Sequence, residues 1–84
     1  MDKERIIAGV TRVFKKVLGI TLQTGQEYLA RDIAGWDSLN HIILIRELEK
    51  EFELEIDLFE ALELTGTRSI VDFIEMKIRL NDHS

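Results

Sequence analysis

Residues 36–52 read Trp36-Asp37-Ser38-Leu39-Asn40-His41-Ile42-Ile43-Leu44-Ile45-Arg46-Glu47-Leu48-Glu49-Lys50-Glu51-Phe52, and the fold turns on how this stretch is laid out. Turned at about 100° per residue, its apolar side chains separate into two groups. Leu44, Ile45, Leu48 and Phe52 fall within an arc of about 100° and must face a core. Leu39, Ile42 and Ile43 point to the other side, with Arg46 among them. A helix from Ser38 to about Phe52 is predicted, roughly 22 Å long at 1.5 Å per residue. A surface helix in a monomer has no folding reason to be apolar on both faces. Either it is central and buried all round, or its second face meets something else. In so small a bundle the recognition face is the expected reading.

Upstream, the apolar residues Ile6, Ile7, Val10, Val13, Phe14, Val17 and Leu18 form one helical stripe. They predict a first helix from about Lys3 to Leu18, with Asp2 as its N-cap and Gly19 as its stop. Gly9 inside it costs roughly 1 kcal/mol relative to alanine, which packing can absorb. Residues 19–36 show no sustained period, yet they contain Ile20, Leu22, Tyr28, Leu29, Ile33 and Trp36. A long loop is expected there, lying across the helices and pinned by these side chains. Downstream, residues 53–58 alternate polar and apolar, which alone would suggest a strand. With no second strand candidate to pair with, they read as an extended connector.

A short helix from about Leu58 to Leu64 follows, then a turn at Thr65, Gly66 and Thr67. The last helix covers about Arg68 to Leu80, with Ile70, Phe73, Ile74 and Ile78 on one face. Thr67 or Ser69 could cap it, and Ser69 with Asp72 resembles a capping box. Residues 81–84, His83 included, read as a frayed tail. The expectation is an all-α four-helix bundle, three helices long and the third short, in a single domain over 1–84.

The chain has 84 residues, 45 % of them hydrophobic and 32 % charged, the composition of a small globular domain. A chain of this size buries only roughly 60–65 % of its unfolded surface, so its core is modest. Lys and Arg number 11 against 16 Asp and Glu, a formal net charge of -5. That balance argues against nucleic acid and against anionic membrane surfaces. No apolar run reaches the roughly 20 residues needed to span a bilayer, and no signal-peptide pattern is visible. A cytoplasmic monomer is expected. Cysteine is absent, which excludes disulfides, thiolate metal sites and cysteine nucleophiles, and two histidines leave little for a metal cluster.

The charge is unevenly spread. Residues 1–18 carry five basic and two acidic side chains, or +3, whereas residues 37–64 hold nine acids against Arg46 and Lys50, or -7. One reading of the acidic block is a solvated face that keeps a small protein in solution. The other is a docking surface for basic partners.

Asp37 and Ser38 stand where the loop enters the second helix, and capping alone accounts for such a pair. A serine there has a second use. Its hydroxyl is exposed, and the unpaired N–H groups and positive dipole end favour an attached phosphate. A phosphodiester suits the position better than nucleophilic catalysis, which needs an adjacent base held by a third group. His41 lies three residues on but turns toward the core side, and reads as a partly buried packing residue. An enzyme reading finds no base–nucleophile pair, phosphate loop or metal spacing. No stretch shows the ligand pattern of an EF-hand.

With these residues in view, the sequence resembles the acyl carrier protein family over nearly the whole chain. The family signature, Asp-Ser-Leu at the head of the second helix, is matched by Asp37, Ser38 and Leu39. Asp32-Ile33-Ala34-Gly35-Trp36 is similar to the Asp-Leu-Gly approach in its longer Gly-Trp form. Leu48-Glu49-Lys50-Glu51-Phe52 with Leu54-Glu55-Ile56 resembles the stretch that ends that helix, and residues 70–74 resemble the start of the final one.

The resemblance implies a carrier, not a catalyst. On that resemblance Ser38 would take 4′-phosphopantetheine from coenzyme A through a phosphopantetheinyl transferase, and the thiol of that arm would hold an acyl or aminoacyl group as a thioester. Asp37 helps the transferase and its metal engage, with Leu39 completing the signature. Leu39, Ile42, Ile43, Arg46, Glu49, Asp57 and Glu60 are the implied docking residues. The implied partners are the transferase, a loading ligase or acyltransferase, and a synthase or downstream acyl-transfer enzyme, as in fatty acid or polyketide biosynthesis. A peptidyl or aminoacyl carrier is the near alternative, and an unmodified helical interaction module the distant one. Where carriers of primary fatty acid synthesis have acids just after the signature and three positions later, this chain has Asn40 and Ile43. Arg46 replaces a common apolar residue. A specialised carrier with its own partners is the expectation.

Overall fold

The computed structural model describes residues 1–81 and shows an all-α bundle. Helix α1 spans Lys3–Leu18, α2 Ser38–Phe52, α3 Leu58–Leu62 and α4 Thr67–Asn81. The predicted long first loop is present, but it contains a 3₁₀ turn at Ala30–Asp32 that its aperiodic sequence did not announce. Asn81, read from the sequence as tail, is the last residue of α4. His83 and the rest of the expected tail lie outside the described residues.

Local chemistry accounts for the helix ends. The Asp2 carboxylate accepts the Arg5 N–H at 2.9 Å, and Gly19 closes α1 in the left-handed region at φ 70°. Asp57 and Glu60 form a reciprocal capping box on α3, at 2.8 and 3.0 Å. The box expected at Ser69 and Asp72 does not form. Ser69 instead exchanges hydrogen bonds with the backbone N–H and carbonyl of Gly66, the residue preceding α4, while Asp72 pairs with Lys3. Thr67 is spent differently again: its hydroxyl accepts the Tyr28 N–H, and its own N–H donates to the Tyr28 carbonyl. With Ala30 N–H donating to the Thr65 carbonyl, this makes an isolated antiparallel bridge at Leu29 and Gly66. A Cβ on Gly66 would lie 2.8 Å from the Leu29 Cδ2, so the Leu29 side chain would have to shift to admit one.

The core is built from one face of each long helix. Ile6, Val10, Val13 and Phe14 of α1 meet Leu44, Ile45, Leu48 and Phe52 of α2 and Ile70, Val71 and Ile74 of α4. The α2 arc read from the sequence is thus the buried one. Two details differ from the expected stripes: Ile7 is largely exposed, and Val71 is buried more deeply than Phe73. Trp36 reaches in from the loop and meets Phe14 edge to face at 5.1 Å. The connector keeps its alternation, with Leu54 and Ile56 buried between exposed Glu53, Glu55 and Asp57.

Helices α1 and α2 run antiparallel, and two ion pairs cross between them: Arg12–Glu51 at 2.6 Å and Lys16–Glu47 at 2.8 Å. The hydrogen bond from Lys16 holds the Glu47 carboxyl below its ordinary range and raises the lysine in return. Part of the acidic block is therefore neutralised inside the fold.

Two glycine substitutions should move stability in opposite directions. A Cβ at Gly9 would lie 2.6 Å from Cζ of the buried Phe52 ring. Gly9→Ala should therefore cost about 1 kcal/mol on denaturant unfolding, overriding a propensity gain of similar size. Glu53 ends α2 at φ 53°, a left-handed position held here by a non-glycine residue. Glu53→Gly should raise stability by about 0.5–1 kcal/mol in the same measurement.

Candidate functional site

Asp37 is the N-cap of α2: its backbone is extended and its carboxylate accepts the Asn40 N–H at 2.9 Å. The Asn40 side chain in turn donates to the Gly35 carbonyl at 2.8 Å, bracing the loop against the first turn. Ser38 follows as the first residue of the helix. It is exposed, and its hydroxyl has no hydrogen-bond partner among the described residues. The first N–H groups of a helix have no intrahelical acceptor, so this hydroxyl sits at the positive end of the dipole.

His41 lies one turn on, half-buried, and both ring nitrogens are committed elsewhere. Trp36 Nε1–H donates to Nδ1 at 2.9 Å, and Nε2 meets the Ala61 carbonyl at 2.8 Å. Indole N–H is only a donor and a carbonyl only an acceptor, which fixes the neutral Nε2–H tautomer. Neither nitrogen is left to activate Ser38. The sequence placed His41 toward the core but gave no sign of this three-way link, because a backbone carbonyl of another helix leaves no mark on side-chain spacing.

Between α2 and α3 runs an open cleft of about 540 Å³ that begins at Ser38 and His41 and is walled by Ile42, Ile45, Ile56 and Leu58. Its size is in the range of small-molecule sites, and most of its lining is apolar. Among the described residues no group of three or more His, Asp or Glu side chains is placed to hold a metal ion.

The second face of α2 is exposed. Leu39, Ile42 and Ile43 are 68 %, 54 % and 41 % accessible; Leu58, Phe59 and Leu62 of α3 are exposed as well, and Leu58 and Leu62 line the cleft together with Ile42. Arg46 is also exposed and has no ionic partner among the described residues. The acids in the implied docking set stand differently. Glu49 accepts the Ile56 N–H, Asp57 caps α3, and Glu60 joins the capping box and pairs with Lys77 at 2.9 Å. Each is engaged within the fold, so the unpartnered part of the set is apolar plus one arginine.

Comparison with known proteins gives two similar sets of relatives. The acyl carrier proteins of two Buchnera aphidicola subsp. Acyrthosiphon pisum strains, Tuc7 and APS, are 35 % identical over 68 residues, covering 75 % of this chain and 85 % of theirs. The acyl carrier protein of Cyanidium caldarium is 30 % identical over 80 residues, covering 93 % of this chain and 92 % of its own. The chain belongs to the acyl carrier protein family. No family model matches it, and no solved structure does either. The expected resemblance and the helical bundle of an acyl carrier protein are therefore both found, with the bundle read independently from the helix periodicity. No helix among the described residues is long and apolar enough to cross a membrane.

The two faces of α2 can be separated by mutation. Ile43→Glu, on the exposed face, should leave the unfolding free energy within about 0.5 kcal/mol of wild type. Leu44→Ala, one residue away and fully buried, should cost about 2–4 kcal/mol in the same denaturant titration.

Proposed function

We propose that this chain is an acyl carrier whose cargo travels as a thioester on a 4′-phosphopantetheine arm joined to Ser38. The observation that carries the reading is the geometry of Ser38: an exposed, unpartnered hydroxyl on the first residue of α2, at the mouth of an apolar cleft. The residues present fit the group. A phosphodiester on this oxygen lies where helix N–H groups and the dipole favour negative charge. Asp37 holds the turn through its bond to Asn40, and Leu39 stands exposed beside it. The arm supplies a thiol that a cysteine-free chain cannot provide itself. The cleft beside it offers apolar surface to an acyl chain.

Membership of the family supports the coarse role, and the resemblance of the Asp37-Ser38-Leu39 signature supports the finer reading. Ser38 is the attachment residue, installed by a phosphopantetheinyl transferase that Asp37 helps engage. A ligase or acyltransferase loads the cargo, and a synthase or further acyl-transfer enzyme receives it. Docking falls on Leu39, Ile42, Ile43 and Arg46, with Glu49, Asp57 and Glu60 at the rim. A face that is apolar and carries a cation unpaired among the described residues is a poor match for a basic partner, which favours specialised partners over those that read acidic carriers. The chain acts as a single monomeric domain over 1–84, in the cytoplasm.

The decisive measurement is intact mass after incubation with coenzyme A and a broad-specificity phosphopantetheinyl transferase. Wild type should gain one phosphopantetheine and Ser38→Ala none. No gain with several transferases would reject the carrier and leave a helical interaction module.

A further inference from the structure

Helix α3 is the least anchored helix of the bundle. It has five residues, of which only Ala61 is buried, while Leu58, Phe59 and Leu62 face solvent. Apolar anchoring comes from Ala61 and from Ile56 and Leu64 at its two ends, and an isolated helix of this length has no stability of its own. Polar links compensate. Lys77 of α4 pairs with Glu60 at 2.9 Å, and Glu49 of α2 accepts the Ile56 N–H in the connector just ahead. The direct link from α2 to α3 itself is the bond from His41 Nε2–H to the Ala61 carbonyl, at 2.8 Å, and His41 and Ala61 both line the cleft.

That bond is pre-set by a second one. The Trp36 indole N–H donates to Nδ1 at 2.9 Å, with the two ring planes within 27° of each other and their centroids 6.1 Å apart. Trp36 is itself buried and leads directly into Asp37 and Ser38. One imidazole therefore joins the segment before Ser38, the helix bearing it, and the far wall of the cleft. Ala61 lies in the last turn of α3, and its carbonyl accepts both the Leu64 N–H, at 3.1 Å, and the His41 Nε2–H, so the imidazole is its one link to another helix.

We propose that His41 is a positioning residue that latches α3 across the cleft beside Ser38, with Trp36 fixing the tautomer that makes the latch. Local opening of α3 then depends on this side chain beside the links from Lys77 and Glu49, and the cleft widens as it lets go. The relevance of the latch to an acyl occupant rests on the reading of Ser38 as the attachment residue. The latch itself is testable on the unmodified chain, so the two ideas fail separately.

The two ring nitrogens can be replaced one at a time. Asparagine places an acceptor near Nδ1, and glutamine places an N–H near Nε2. Amide hydrogen exchange of Ala61, Glu63 and Leu64, read relative to buried amides of α1 and α4, reports opening of α3. The indole N–H resonance of Trp36, the single tryptophan, reports the first bond. His41→Leu and His41→Asn should speed the α3 amides by about tenfold, while His41→Gln stays within about threefold of wild type. The indole resonance should move in His41→Leu and His41→Gln and hold in His41→Asn. Unchanged α3 exchange in His41→Leu overturns the proposal. So does equal acceleration of all helices, or failure of glutamine to restore protection where asparagine does not.

Discussion

Helix α2 is asked to be apolar in two directions, and the rest of the molecule is arranged around that demand. Its inner arc of Leu44, Ile45, Leu48 and Phe52 supplies much of the core. Its outer arc of Leu39, Ile42 and Ile43 is exposed, with none of the described residues folded over it. Exposed apolar groups give nothing to folding, so the stability of this small domain must come from the inner arc and what it meets. That explains the tight fit at Gly9, where the Phe52 ring occupies the space a Cβ would take. It also explains why Trp36 is drawn out of the loop to pack on Phe14.

The charges are distributed to the same end. Read as a linear block, the acids after Asp37 look like a single negative surface. In the fold they divide by function. Glu47 and Glu51 turn to the basic α1 and fix the antiparallel pairing. Glu49, Asp57 and Glu60 satisfy backbone N–H groups of the connector and α3, which have no helical partners of their own. Individually such exposed pairs are worth little, but together they set the register of segments that bury few side chains. What remains unengaged on the outer face of α2 is apolar surface and Arg46.

This division shows which parts of the molecule were legible in the sequence. Helix periodicity is a property of consecutive residues, so the two arcs of α2, the caps Asp2 and Asp37, and the stop at Gly19 could be read directly. The exposed Ser38 followed from its place at the helix head. Long-range polar contacts could not be read in the same way. Ser69 and Asp72 have the spacing of a capping box, yet Gly66 and Lys3 take their side chains. Thr67 looked like a cap and instead pins Tyr28 thirty-nine residues away in sequence. The left-handed end of α2 was hidden because Glu53, and not glycine, occupies it. The 3₁₀ turn at Ala30–Asp32 follows from the bridge between Leu29 and Gly66, a pairing that no local pattern encodes.

The short third helix brings these threads to the site. A long, well-buried α3 would seal the space between itself and α2, and a wholly unanchored one would leave the inner arc wet. Five residues with one buried side chain, held by polar links, lie between those limits. Polar links of this kind cost little to break in water, because solvent replaces them. Under the proposed latch, a change in width of the cleft beside Ser38 would leave the pairing of α1 with α2, and the apolar contacts it buries, in place. A carrier needs that separation. On the proposed reading of Ser38, the scaffold holds that residue still while one wall of the neighbouring cleft is the part left free to yield.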